Sequence, residues 1–171
     1  MRSSKAKDVA LTGILFALAI TLSMVESAVA PMLGLAPGVK LGLANVVVMY
    51  AVFFMSVRRA WFLVLLKAGF VLLTRGPVAG LLSLCGGALS LVVMWALYRL
   101  PRRPTWFILS ASGALAHNLG QLCGASIVLS SRLALGYAPV LIVSGLAMGG
   151  ITAAGLSAML PALEKMGYRA Q

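Results

Sequence analysis

The sequence predicts an all-α integral membrane protein with six transmembrane helices and both termini in the cytoplasm. Three observations carry this prediction. First, of 171 residues 61% are hydrophobic and only 10% charged, with a mean hydropathy of +1.04, whereas a soluble domain carries about 25% charged residues. Second, a bilayer-crossing helix takes about 20 residues, so six take about 120 and leave roughly 50 for loops and ends. Third, the 14 Lys and Arg, set against three acids, fall between apolar runs. That is how a membrane protein fixes its orientation, not the footprint of a nucleic-acid binder. A soluble enzyme, a secreted disulfide scaffold and a disordered tail are excluded. One polytopic domain spans 1–171.

The apolar runs cover 9–25, 41–57, 60–74, 77–98, 105–130 and 137–160. The first follows Arg2, Lys5 and Lys7, and with Ala28-Val29-Ala30 it imitates a signal peptide. Pro31 would follow the cut and the run is long for a signal, so a retained helix is the reading. Ala10, Gly13 and Ala17 share one face of it. The second run opens at Lys40 and Asn45, after the Pro- and Gly-rich stretch 31–42, the longest candidate loop. The third is short, holds Lys67 and closes at Arg75; such a run thins the bilayer locally or leans on its neighbours. The later runs carry small residues at helical spacing: Gly80, Ser83, Gly87 and Ser90 in the fourth, Ser110, Ala114 and Gly124 in the fifth, and the Gly145-xxx-Gly149 pair in the sixth. Lipid gives helices little reason to associate, so close backbone approach must supply it. Such stripes pack helices within one chain, or dock another membrane subunit; the first helix is the candidate for docking. Cys85 and Cys123 lie inside apolar runs and read as small packing residues, not as a disulfide framework or a metal site.

With the N-terminus inside, Arg2, Lys5, Lys7, Arg58, Arg59, Arg99, Arg102, Arg103, Lys165 and Arg169 fall on the inner side, and Lys40, Arg75 and Arg132 on the outer. The positive-inside rule therefore favours two cytoplasmic ends.

Ionisable residues at membrane depth are functional candidates. Glu26 closes the first run, Lys40 and Asn45 open the second, and Lys67 lies about 12 Å inward from Arg75. His117 and Gln121 share a helix face, with Asn118 beside them. All map to the outer half or the middle, which predicts a pocket open to the outside and closed below. Each also has a plainer role: Lys40 and Arg75 touching lipid phosphates, Lys67 snorkelling or pairing with Glu26, His117 and Asn118 joining helices. As a set they read as a ligand site. Glu26 is the only acid facing Lys40, Lys67, Arg75 and Arg132, an excess that suits an anionic ligand.

Several chemistries lack their residues. Prenyl chain elongation needs clustered aspartates to hold magnesium on a diphosphate, whereas Asp8, Glu26 and Glu164 are far apart. The one histidine has no acid near it in sequence for a Ser-His-Asp triad. There is no GxxxxGK[ST] loop for ATP, so uphill transport would draw its energy from a partner. No metal or directly bound cofactor is expected.

PGVKLGLANVV (37–47), SLCGGALSLVVM (83–94) and AHNLGQL (116–122) resemble the Gx transporter family, also catalogued as heptaprenyl diphosphate synthase component I. Its members are similar to the substrate-binding S components of energy-coupling factor (ECF) importers of bacterial cytoplasmic membranes. The resemblance covers roughly 9–163. It implies a six-helix S-component fold, an outward-facing pocket, and an assembly with a membrane T component and two cytoplasmic ATPases that use ATP. It also implies that Lys40 and Asn45 of the first motif, and His117, Asn118 and Gln121 of the third, touch the ligand. In S components an AxxxA motif on the first helix contacts the T component; here Ala10, Gly13 and Ala17 stand there, with Gly13-xxx-Ala17 in place of the strict motif. The expected function is capture of a small, anionic or vitamin-like molecule from outside by a non-enzymatic subunit. The alternatives are a membrane accessory subunit of heptaprenyl or polyprenyl diphosphate synthesis, and a structural membrane protein with a polar core and no ligand.

Overall fold

The computed structural model describes residues 2–32, 43–101, 104–128 and 138–165. Among them it is all-helical, with six helices. They are α1 (Arg2–Met32), α2 (Asn45–Tyr50, running on into a π-helical turn Ala51–Met55), α3 (Val57–Arg75), α4 (Pro77–Tyr98), α5 (Trp106–Val128) and α6 (Ala138–Lys165). Among the described residues two stretches are long and apolar enough to cross a membrane, Asp8–Val29 within α1 and Pro77–Tyr98; Asn45–Met55 and Gly145–Gly155 are shorter apolar helices. They point to membrane association. Lys40, Arg132 and the loop 33–42 lie outside the described residues.

Two elements depart most from the apolar runs. α1 has 31 residues, about 46 Å at about 1.5 Å per residue, and overshoots 9–25 at both ends. Its polar side chains do not break it, because they bond back to the helix: Thr12 Oγ1 donates to the Asp8 carbonyl at 2.8 Å and Ser27 Oγ to the Ser23 carbonyl at 2.8 Å. The described helical part of the second run is only Asn45–Met55, about 16 Å. Ser56 ends it, in extended backbone (φ −168°, ψ 152°), and its hydroxyl caps α3 by accepting from the Arg59 N–H at 3.3 Å. A single residue, Gly76, joins α3 to α4 at φ 88°, and Pro77 opens α4 at a position that tolerates a missing N–H.

Close contacts fix the register. Gly87 faces Val64 and Gly80 faces Leu72, so α3 and α4 run antiparallel. Gly120 lies against the Cys85 carbonyl and Gly113 against Met94, and Gly149 lies against Ala111, so α4–α5 and α5–α6 are antiparallel as well. The small residues of α4, α5 and α6 thus let backbones approach within this chain. α1 runs parallel to α3, held near one end by an Arg59–Asp8 ion pair of 2.6 Å and near the other by Arg75, which donates to the Ser23 carbonyl at 3.3 Å. α2 is parallel to α4: Asn45 meets Ser90, and the Phe53 ring meets Tyr98 at 4.7 Å and Trp106 at 5.3 Å. The apolar core, centred on Phe53, Met49, Leu63, Val64, Leu91, Met94 and Leu109, lies toward the Arg59–Tyr98 end.

Candidate functional site

The registers set the height of each polar residue. On α4, Ser83 and Ser90 bound a band seven residues deep, about 10 Å, centred on the helix's midpoint. Asn45 enters this band from α2, its Nδ2 donating to Ser90 Oγ at 3.3 Å. Lys67 lies on the buried face of α3 between Val64 and Leu72, and so between Gly87 and Gly80 on α4. His117 and Gln121 enter from α5 and lie over Gly86, where a Cβ would sit 2.9 Å from His117 Nδ1 and Gln121 Cγ. Asn118, one residue on, turns toward α6, its Nδ2 3.1 Å from where a Cβ on Gly145 would lie. Asn45, Lys67, Ser83, Ser90, His117, Asn118 and Gln121 therefore form one layer across four helices, none more than 5% exposed.

The layer is polar beyond its own hydrogen bonds. Both amide atoms of Gln121, Ser83 Oγ and Asn45 Oδ1 are buried without a hydrogen-bond partner among the described residues. A buried polar atom left unmet costs about 1–3 kcal/mol, so four of them at one height favour a polar guest. Lys67 is the one lysine or arginine among the seven, with the His117 imidazole beside it, and no carboxylate is among them. Gly86 supplies the space: any side chain there would displace the imidazole and the glutamine.

The other predicted site residues lie elsewhere. Arg75 is a further eight residues along α3, about 12 Å beyond Lys67, exposed and bonded to α1. Glu26 is buried on α1 one turn past Ser23, at that same end. The outward-open pocket expected from the sequence is not seen at the layer among the described residues: its seven side chains are at most 5% exposed. Ala10, Gly13 and Ala17 are exposed on α1, and a Cβ on Gly13 would meet nothing within 4 Å. Ser83 and Ser90 read in the sequence only as small packing residues. Their helical spacing was visible, but that Ser90 meets Asn45 and that Ser83 is buried within the same band depends on the register.

These features define a helical, membrane-associated protein built around a buried polar layer. The family model described as heptaprenyl diphosphate synthase component I matches residues 15–159, and the chain belongs to that family. No curated protein and no solved structure matches it.

Proposed function

We propose that this chain is a non-catalytic membrane subunit that binds a small anionic organic molecule at the Asn45–Gln121 layer, and that all six helices lie in a bacterial cytoplasmic membrane with both ends inside. One observation carries the reading: four buried polar atoms without a partner among the described residues, on Asn45, Ser83 and Gln121, in a layer that also holds Lys67 and His117. The acids Asp8 and Glu26 sit about 27 Å apart along α1, which speaks against their jointly holding a magnesium diphosphate. Lys40 belongs to the proposed site through the motif it shares with Asn45, and Glu26 and Arg75 through the charge argument alone, as outer contacts for an incoming anion.

Two assemblies suit such a subunit. The buried layer and the exposed Ala10–Gly13–Ala17 stripe support an ECF-type substrate-binding component, docking a T component served by two ATPases. The family description supports the other, an accessory component of heptaprenyl diphosphate synthesis. Mass spectrometry of what co-purifies from native membranes in mild detergent tests both. A T-type membrane protein with two ATPases establishes the importer. A soluble prenyl synthase without them establishes the accessory role. A chain that carries neither a partner nor an extractable ligand overturns the binding reading.

A further inference from the structure

A second site lies away from the polar layer, in the groove between α1 and α3. The groove encloses about 460 Å³, within the range of about 300–1,000 Å³ common to small-molecule sites. Phe16, Phe62 and Leu66 wall it and Gly13 leaves it open on the α1 side. It runs about 12 Å along the helices, from Asp8 to Phe16 on one and from Arg58 to Leu66 on the other. Its charged lining residues, Asp8, Arg58 and Arg59, are all at one end. Arg59 spends one donor on Asp8 out of the five a guanidinium carries. Arg58 is exposed and makes no ion pair among the described residues.

We infer that this groove binds an anionic phospholipid of the surrounding bilayer, one acyl chain lying along Gly13 and Phe62 and the phosphate held by Arg58 and the remaining donors of Arg59. The polarity runs in the right order for a lipid: charge at one end, then an apolar trough parallel to the helix axes. A T component docking on Ala10, Gly13 and Ala17, as proposed above, would displace this lipid. The positive-inside orientation puts this end in the cytoplasmic leaflet, where anionic lipids draw basic residues. The inference rests on the membrane placement proposed above but not on any ligand in the polar layer.

The test is native mass spectrometry of the full chain in detergent, titrated with phosphatidylglycerol or with phosphatidylcholine. Phosphatidylglycerol should be retained in preference. Arg58→Ala should lower its affinity about fivefold, and Gly13→Leu, a change on an exposed helical face that fills the trough, should abolish the retained lipid while the thermal transition is kept. Equal retention of the two lipids, or unchanged binding in both variants, overturns the inference. So does competition by inorganic diphosphate alone, which would mark a soluble anion as the occupant, and so does a change of oligomeric state in Gly13→Leu with lipid binding intact, which would mark a second helix. Ligand extracted from the polar layer is a separate readout, so either proposal can fail without the other.

Discussion

Gln121 sets stability against function. Neither of its amide atoms has a hydrogen-bond partner among the described residues, so replacing it with leucine breaks no bond and removes a desolvation cost. Gln121→Leu should stabilise the ligand-free protein by about 1 kcal/mol and lose whatever ligand the wild type carries through purification. Thermal unfolding in detergent, with extraction of the bound ligand, reads both. A loss of stability would mean that Gln121 is fully bonded in the membrane and that the layer is a structural network. Two glycines make a parallel contrast. On Gly86 a new Cβ meets side-chain atoms of His117 and Gln121, which can move; on Gly120 it would lie 2.5 Å from the Cys85 carbonyl oxygen, a backbone atom that cannot. Gly86→Ala should therefore keep the fold and disturb binding, while Gly120→Ala should cost about 1–3 kcal/mol in the same unfolding assay. The sequence shows Asn45, Lys67, His117, Asn118 and Gln121 as polar residues out of place in apolar runs. It does not show that Glu26 and Arg75 stand apart from them, because depth along one helix says nothing until its neighbour's register is known.

Asn45 reaches the middle of the bundle because α2 is half-length. Read as the start of a run over 41–57, it belongs near a membrane face; the described helix begins at Asn45, and its contact with Ser90 places that beginning at mid-height of α4. Apolar runs report hydrophobicity and not where the helix lies, so α4 was legible to the residue, whereas α1 extends well past its run. The breaks depend on local chemistry. Ser56 and Gly76 each reverse the chain in one residue, one by extended backbone and a side-chain cap, the other by a positive φ. Gly76→Ala forces an L side chain into a conformation it rarely adopts and should destabilise the protein by about 1 kcal/mol or more, although a Cβ there has open space. Ser56→Ala removes the cap and should cost about 1 kcal/mol. Chemical denaturation of both variants in mixed micelles checks the pair. A neutral Gly76→Ala would show that the turn relaxes to a negative φ.

Charge orders the molecule as a whole. Arg58, Arg59, Asp8 and Arg99 lie at one end of the bundle, beside the Phe53–Tyr98–Trp106 aromatic cluster, and Arg75 lies at the other. The Arg59–Asp8 pair is 36% and 46% exposed and so adds little stability, about 1 kcal/mol at most; the sign of this end matters for orientation instead. If six helices cross the membrane with the basic end inside, then positions 3 and 102 face the cytoplasm and position 131 faces out. In a background with Cys85 and Cys123 replaced by alanine, Ser3→Cys and Arg102→Cys should react with an impermeant thiol reagent only in inside-out vesicles, and Ser131→Cys only in intact cells stripped of their outer layers. A fivefold crossing would put the two ends on opposite sides, and an inverted bundle would exchange all three reactivities. The inverted result would also carry Arg58 and Arg59 into the outer leaflet and take the electrostatic argument for a lipid at the α1–α3 groove with them, so one labelling series bears on both the topology and the second site.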